Sequence, residues 1–247
     1  MENISENARY LKLPNIKENY KTMIKEAEMN EYTFTEFLDN VLIQESETRF
    51  SNGVQHKLKQ ARFPNRLYLE NYELNNYDSL QKKSIKEVMS LDFLERKENI
   101  LLFGNPGVGK SHLAIGLGIK ACLANKTVHF ISVPNLMIEI KEQMNLNQLQ
   151  RYRKRFEKYD LVILDEMGYI SFDKDVSEIL FNLLSNRTQK GSTIITTNLP
   201  FDRWDEIFKD QILTTAIVDR LAYKSHIIDL SGESYRAQET LKWSSNK

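Results

Sequence analysis

Eight consecutive residues near the middle of the chain have the composition and spacing of a phosphate-binding loop. Positions 104–111 read Gly-Asn-Pro-Gly-Val-Gly-Lys-Ser. Small residues let the backbone wrap closely around a phosphate with its N–H groups pointing inward, and a following helix adds partial positive charge. Lys110 is expected to reach the β- and γ-phosphates of a nucleotide, and the Ser111 hydroxyl to bind Mg²⁺. We assign nucleotide contacts to the loop and the residue after it: Gly104, Asn105, Pro106, Gly107, Val108, Gly109, Lys110, Ser111 and His112.

Two later apolar runs end in polar residues that could act on a bound nucleotide. One run leads into Asp165 and Glu166, and the next ends at Asn198. Because parallel strands deliver such residues to one edge of a sheet, we predict that Asp165 holds Mg²⁺ through water. Glu166 would orient or deprotonate the attacking water, and Asn198 would hydrogen-bond that water or the γ-phosphate. The structural alternatives are a solvated strand end for the carboxylates and a turn residue for Asn198.

Hydrolysis of a nucleotide also needs a positive charge on the γ-phosphate in the transition state. Three arginines in the C-terminal region compete for this role: Arg203, Arg220 and Arg236. The last two could instead pair with Asp219 and Glu233, and spacing alone does not choose between the arginines.

Alternating strand-like and helical patterns surround these candidates. Apolar or β-rich runs cover 100–103, 127–131, 161–164 and 193–197. Helical patterns begin at residue 113 and also cover 134–157 and 174–190. This alternation predicts right-handed βαβ crossovers, and therefore an α/β fold with a parallel sheet.

The N-terminal part of the chain has a helical pattern throughout. Residues 1–9 are polar and expected to fray, and helical spacing of apolar side chains follows. Thr33 and Glu36 predict a capping box for a second helix, which should end at Asn52-Gly53. A third, short helix is predicted over 54–62.

A bridge with aperiodic apolar residues connects the helical piece to the first strand. The bridge covers 66–99 and should contain one helix from Leu80 to Phe93. Since no proline- or serine-rich linker marks a boundary, we place the end of the helical module near residue 68.

Composition is that of an ordinary globular chain. Of 247 residues, 41% are hydrophobic and 28% are charged, and Lys plus Arg equal Asp plus Glu at 34 each. Net charge therefore makes no case for nucleic acid or a membrane. No signal-peptide pattern is present, and no apolar run reaches the ~18 residues that span a bilayer. The single cysteine, Cys122, is expected in the core and fits a reducing cytosol, so we predict a cytoplasmic protein.

The densest basic cluster covers residues 151–155 and continues to Lys158. From the residues alone, a solvated helix face near Glu157 and Asp160 is the favoured interpretation, and contact with a DNA backbone is the alternative. Lys57, Lys59 and Arg62 are weaker candidates for the same contact.

Together these residues resemble the IstB/DnaC group of AAA+ ATPases, and IstB-like proteins more closely. The stretches that carry the resemblance are 104–114, 161–169, 196–201, Trp204 with Phe208, 219–221 and Gly-Glu-Ser-Tyr-Arg at 232–236. It extends to the N-terminal module through Phe37-Leu38, Glu45, Arg49 and 61–64. Ser111 departs from the threonine that is common there, but both residues supply the hydroxyl.

The resemblance implies a fold and a domain arrangement. We expect an AAA+ P-loop three-layer sandwich over 69–247, preceded by a small all-helical module at 1–68 that binds DNA or a partner or mediates self-association. Few residues follow Arg236, so a full C-terminal lid is not expected.

The resemblance also implies ATP rather than GTP, and an ATP-dependent homo-oligomer on duplex DNA. Arg220 matches the arginine finger that acts in trans on a neighbour's ATP, and Arg236 would be a second nucleotide-sensing or interface arginine. Sequence-independent contact with DNA phosphates, steeply salt-dependent, is implied for the basic cluster, with Arg151, Arg153, Lys154 and Arg155 as its residues.

The leading hypothesis is an ATP-hydrolysing helper that binds duplex DNA and regulates a cognate transposase and its target selection. A DnaC-like loader of the replicative helicase is the alternative, although Pro64 and its neighbours favour the IstB-like protein. A nucleotide kinase is disfavoured, since Asn198 and the late arginines lack the pattern of a phosphate-acceptor pocket.

Overall fold

The computed structural model describes residues 2–168 and 171–232, together with residues 234, 235, 237, 240, 243 and 244. Its contacts divide the chain into two compact units, with the division between His56 and Lys57. This division lies before the predicted boundary near residue 68. The reason is that Ala61 is fully buried in the core of the second unit, where Leu58 and Phe63 pack around it.

The first unit is built from helices, as expected. Helix α1 spans Glu2–Tyr10, α2 spans Pro14–Met29 and α3 begins at Phe34. The expectation that residues 1–9 fray was wrong for residues 2–9, which lie in α1.

Two residues of the family resemblance have structural roles in the first unit. The buried carboxylate of Glu45 accepts a hydrogen bond from the Ile16 N–H at 3.0 Å, where a negative charge stabilises the start of α2. Arg49 Nη2 donates to the Lys12 carbonyl at 3.2 Å, in the turn between α1 and α2. These side chains hold the helices of the module together.

Helix α3 is longer than predicted. Its capping box is confirmed, because the Thr33 N–H donates to Glu36 Oε2 at 2.8 Å and the Glu36 N–H donates to Thr33 Oγ1 at 3.3 Å. The predicted break at Asn52-Gly53 was wrong, since α3 continues from Phe34 to Gln60. A glycine inside a helix costs only about 1 kcal/mol relative to alanine, which the hydrogen bonds on both sides outweigh.

The bridge contains a short 3₁₀ helix and two α-helices where one helix was predicted. A short 3₁₀ helix at Leu69–Asn71 is followed by α4 at Ser79–Met89 and α5 at Asp92–Arg96. Leu91 separates α4 from α5 because its backbone is left-handed, with a φ of 70°.

A five-stranded parallel sheet forms the centre of the second unit, which confirms the predicted fold class. Its strands lie in the order β2-β3-β4-β1-β5. Their bounds are β1 Asn99–Phe103, β2 Val128–Ser132, β3 Leu161–Met167, β4 Ser192–Thr197 and β5 Ser225–Asp229. Strand β5 had not been predicted, since Ser225–Asp229 is short and half polar.

Helices cover both faces of this sheet. They are α6 Lys110–Leu123, α7 Val133–Asn145, α8 Leu149–Phe156, α9 Lys174–Arg187, α10 Asp205–Phe208 and α11 Gln211–Ala222, with a 3₁₀ turn at Phe201–Arg203. The predicted single helix over 134–157 is divided into α7 and α8, because Asn147 has a left-handed φ of 55°.

Alternate strand residues build two separate cores. Ile100 and Leu102 of β1 belong to the core that contains α6, whereas Leu101 belongs to the core that contains α7 and α9. The result is a three-layer sandwich in which the carboxyl ends of all five strands meet at one edge.

The edge of the sheet at β2 and the single cysteine on α6 are both covered by other parts of the chain. The edge strand β2 is covered where the Phe130 N–H donates to the Ala61 carbonyl at 2.8 Å. Cys122 on α6 is fully buried, and burial raises the pKa of its thiol to about 11. In the part of the chain that is described, no helix is both long and apolar enough to cross a bilayer.

Candidate functional site

The glycine-rich loop lies between β1 and α6, at the carboxyl edge of the sheet. Its three glycines have positive φ angles, 144° at Gly104, 84° at Gly107 and 96° at Gly109. A Cβ atom at Gly104 would lie 2.9 Å from the backbone of Leu230 and Ser231, so only glycine fits. The segment after β5 therefore packs directly on the loop.

Lys110 is the first residue of α6 and is largely buried. Its Nζ atom donates to the carbonyl oxygens of Gly104 at 2.7 Å and Asn105 at 2.9 Å. These bonds hold the ammonium group over the loop. A bound phosphate would offer this group a full negative charge in place of the partial charges of the two carbonyl oxygens.

Ser111, Asp165 and Thr196 form a hydrogen-bonded group across three elements. The Ser111 hydroxyl donates to Asp165 Oδ1 at 2.8 Å, and the Thr196 hydroxyl donates to the same oxygen at 2.5 Å. A hydroxyl and a carboxylate are the hard oxygen groups that Mg²⁺ prefers. The chemistry of Ser111 and Asp165 therefore fits this ion, with Ser111 as the ligand and Asp165 acting through water.

Glu166 has an unusual backbone that turns its side chain outward. The residue has a left-handed φ of 65°, and the β3–β4 register shifts between Leu164 and Met167. Its N–H donates to Thr196 Oγ1 at 3.0 Å, and its exposed side chain lines the same cavity as Lys110. Bulges of this kind re-aim side chains next to active sites.

Thr196 was not among the predicted site residues. The residue is 1% exposed, and its hydroxyl donates to Asp165 and accepts from the backbone of Glu166. It therefore connects the two predicted carboxylates. Its place near the end of β4, directly before Thr197 and Asn198, was a signal from which the sequence could have identified it. Its hydrogen-bond partners, however, depend on the register shift between β3 and β4.

A cavity of about 480 Å³ opens beside the loop, within the size range of ligand pockets. The bridge forms one wall, which was not predicted. Tyr77 donates to the Val108 carbonyl at 2.6 Å, so Tyr72, 2.7 Å away, donates to Tyr77. Burial raises the pKa of both tyrosines, which remain hydroxyl donors to the loop.

His112 joins the bridge to α6. Its Nε2 lies 3.0 Å from the carbonyl oxygen of Tyr68, so Nε2 carries the proton, and its ring meets Tyr72 edge-on at 5.3 Å. His112 also lines the cavity.

The C-terminal motif reaches the same cavity. Gly232 and Tyr235 line it, and the Tyr235 N–H donates to the Gly107 carbonyl at 3.0 Å. Arg236 and Glu233 lie outside the described residues, so the prediction for Arg236 stays a prediction.

Asn198 and Arg220 are not among the residues that line the cavity. Asn198 lies beside Gly168, where an added Cβ would be 2.7 Å from Asn198 Oδ1. This oxygen is buried and accepts no hydrogen bond from any described residue. The guanidinium of Arg220, on α11, lies 4.4 Å from the Phe181 ring centroid.

The basic cluster divides between two faces of α8. Arg151, Lys154, Arg155 and Lys158 line an open groove with Gln150. Arg153 does not line this groove and is half-buried. The spacing i, i+3, i+4, i+7 could have identified this face from the sequence.

Three of the four remaining charged candidates have local partners. Arg203 pairs with Glu206 at 2.7 Å. Lys57 donates to the backbone carbonyl of Asn125, and Arg62 pairs with Glu139 at 2.8 Å. Lys59 is exposed.

The architecture defines a class of protein. A phosphate-binding loop follows β1, and β4 separates β1 from β3, which bears the carboxylates; this is a P-loop ATPase of the AAA+ type.

Solved structures share the fold. DnaI matches with a TM-score of 0.57 and 21% identity, covering 68% of this chain and 90% of that one. AMPPCP-bound DnaA from Aquifex aeolicus matches with a TM-score of 0.57 and 18% identity, covering 68% of this chain and 50% of that one. The DnaC helicase loader also matches, with a TM-score of 0.54 and 18% identity, covering 66% of this chain and 96% of that one.

The sequence comparisons identify the family. Residues 6–243 match the family described as IstB-like ATP binding protein, and the chain belongs to it. A relative from Pseudomonas aeruginosa, named as an ATP-binding protein of insertion sequence IS21, is 37% identical over 94% of this chain and 88% of its own length. A relative from Bacillus thuringiensis subsp. berliner, named for IS232, is 34% identical over 96% and 95%. The expected family is confirmed, and the chain is an ATP-binding protein and an ATPase.

Proposed function

We propose that this ATPase is the helper of an insertion-sequence transposase, and that it hydrolyses ATP in a homo-oligomer assembled on duplex DNA. The observation that carries the proposal is the convergence of Lys110, Ser111 and Glu166 on one cavity in a chain whose relatives are named for insertion sequences. Through this cycle the protein would regulate transposition and target selection.

The polar residues at the carboxyl edge of the sheet have separate roles in hydrolysis. Lys110 binds the β- and γ-phosphates, and Ser111 with Asp165 would hold Mg²⁺, which supplies charge neutralisation at the phosphates. Glu166 orients or deprotonates the attacking water, because its backbone conformation presents the carboxylate to the cavity. The unpaired Oδ1 of Asn198 supports a role as an acceptor near that water.

Arg220 would act on the ATP of a neighbouring subunit. It lies outside its own cavity and on a helix surface, packed against Phe181 of α9, which suits a residue presented to another copy. A trans site predicts that Arg220→Ala and Lys110→Ala subunits, inactive separately, regain hydrolysis when mixed.

Such mixing has a matched control. Arg203→Ala removes an exposed arginine that is already paired with Glu206, so it should be active without mixing. No recovery at any ratio of Arg220→Ala to Lys110→Ala, while both remain folded, contradicts the shared site.

DNA binding is proposed for the open groove of α8. Exposed cations in a groove contact phosphates without reading bases, so affinity should be independent of sequence and fall steeply with salt. The decisive experiment measures ATPase activity with and without duplex DNA, together with particle size in ATP and in ADP. Absence of DNA binding, or an ATP-bound protein that stays monomeric on DNA, contradicts the proposal.

A helicase loader is the second candidate, favoured by the structural likeness to DnaI and DnaC. At 18–21% identity this likeness concerns the fold alone, whereas the relatives above 30% identity are named for insertion sequences. A transposase gene directly upstream supports the helper, and a position in a replication operon supports the loader.

A further inference from the structure

We propose that the DNA contact continues from α8 onto the C-terminal end of α3 and the segment that follows it, forming one basic track. We define the track by seven cations: Lys59, Arg62, Arg66, Arg151, Lys154, Arg155 and Lys158. The partner is the phosphate backbone of duplex DNA. This inference rests on the proposed DNA binding and names the full surface that carries it.

Glu139 of α7 joins the two parts of the track. Its Oε1 pairs with Arg62 at 2.8 Å, and its Oε2 accepts from the Tyr152 hydroxyl at 3.1 Å. The guanidinium of Arg155 lies 5.4 Å from the Tyr152 ring centroid. Three successive contacts therefore connect Arg62 to Arg155, although 93 positions separate them along the chain, from 62 to 155.

A buried histidine lies close to both parts. Burial lowers the pKa of His129 to about 4, and the charges of Arg62 and Arg155 act in the same direction, against that of Glu139. His129 is stacked on Tyr159 at 4.9 Å. His129 therefore stays neutral at physiological pH and adds no positive charge to that of Arg62 and Arg155.

The C-terminal end of α3 and the segment that follows it form a groove of their own. Lys59, Arg62 and Arg66 surround a cavity of about 190 Å³ whose lining includes Leu58, Phe63 and Ile119. Lys59 and Arg66 are exposed and make no hydrogen bond or ion pair with any described residue. Their charges are available to an external anion, whereas Lys57 is held by Asn125.

The distribution of charge favours a linear polyanion. On α8, Arg151 and Arg155 are about 6 Å apart along the helix axis, close to the ~6.8 Å rise of two nucleotide steps on one DNA strand. The whole chain has no net charge, so seven cations on this surface are a local concentration. The nearby carboxylates have other partners, since Glu157 pairs with Lys190 and Asp160 accepts hydrogen bonds from Thr127. Since the cations extend over a surface and do not converge on one point, a repeated phosphate fits better than a single acidic group.

The experiment measures duplex affinity of the full chain as a function of salt concentration. Lys59→Gln with Arg66→Gln should lower the slope of log affinity against log salt by ~1.8, at ~0.9 per phosphate contact. Arg151→Gln with Lys154→Gln should lower it similarly, and all four changes by about the sum. Arg62 is left unchanged because it holds Glu139.

Two controls accompany these variants. Lys83→Gln with Lys86→Gln removes two exposed lysines of α4, which packs near β5 at the opposite edge of the sheet, and should leave the slope unchanged. Lys59→Arg with Arg66→Lys should retain the wild-type slope. The melting temperature should be unchanged in every variant, and the DNA-free ATPase rate should be unchanged in Lys83→Gln with Lys86→Gln.

The outcomes separate the inference from the function beneath it. If the α8 pair lowers the slope and the Lys59/Arg66 pair does not, the continuous track is wrong while DNA binding stands. If the wild-type chain does not bind duplex DNA, the proposed function fails first. An unchanged DNA slope with weaker binding to the transposase would assign Lys59 and Arg66 to a protein partner and overturn the inference.

Discussion

The carboxyl edge of the sheet and the basic track are organised in opposite ways. At the sheet edge Lys110 and Asp165 are less than a tenth exposed, and both are hydrogen-bonded. On the track Lys59 and Arg66 are exposed and have no described partner. A buried polar network fixes atomic positions because leaving a group unpaired is costly, whereas exposed cations add small, screened increments. Single substitutions should therefore have large effects at the first region and graded effects at the second.

The largest expected effect is loss of nucleotide binding in Lys110→Ala. The substitution removes the ammonium group that lies over the loop, and no other cation has been assigned to the β- and γ-phosphates. Titration with a fluorescent ATP analogue measures it. Lys120→Ala on the same helix is the control; ATP affinity within a few-fold of wild type in Lys110→Ala would contradict the comparison.

Glu166→Gln should keep ATP binding and lower hydrolysis by a factor on the order of 10² or more, since it removes the carboxylate that acts on water. Single-turnover hydrolysis beside ATP affinity separates the two effects. Glu73→Gln, another carboxylate on the cavity wall, should hydrolyse at close to the wild-type rate. Equal rates for Glu166→Gln and wild type would reject the assignment.

Thr196→Val should give an intermediate loss. It leaves the Glu166 N–H without an acceptor and removes one donor from Asp165, at about 1–3 kcal/mol, which is a loss of roughly tenfold or more. More Mg²⁺ should also be needed for half-maximal ATP binding. Thr196→Ser should restore both values, and Thr193→Val, in the same strand but away from the cavity, should change neither. A Ser variant as impaired as the Val variant would indicate packing alone.

The sequence predicted which loop and which carboxylates lie at the sheet edge, because the signals for both are local. The loop is eight consecutive residues, and the carboxylates directly follow an apolar run. Thr196 could not be predicted in the same way, because its partners depend on which strand pairs with β3 and on the register shift at Glu166.

The errors in the helices have a common cause. Leu91 and Asn147 interrupt predicted helices because their backbones are left-handed. Residues other than glycine rarely adopt this conformation, so the amino-acid composition does not reveal it. Gly53 led to the opposite error, since it stays helical. The surface charges show a further limit: the face of α8 follows from periodicity, but the approach of Arg62 depends on Glu139, distant in sequence.

The buried thiol of Cys122 has a practical consequence for labelling the chain with a fluorophore. With a pKa of about 11 and no exposed surface, this only cysteine of the chain should resist maleimide reagents near neutral pH. A cysteine introduced on the solvent side of α8 would then be the single reactive position. The wild-type background can therefore carry one fluorophore per subunit without prior removal of a native cysteine.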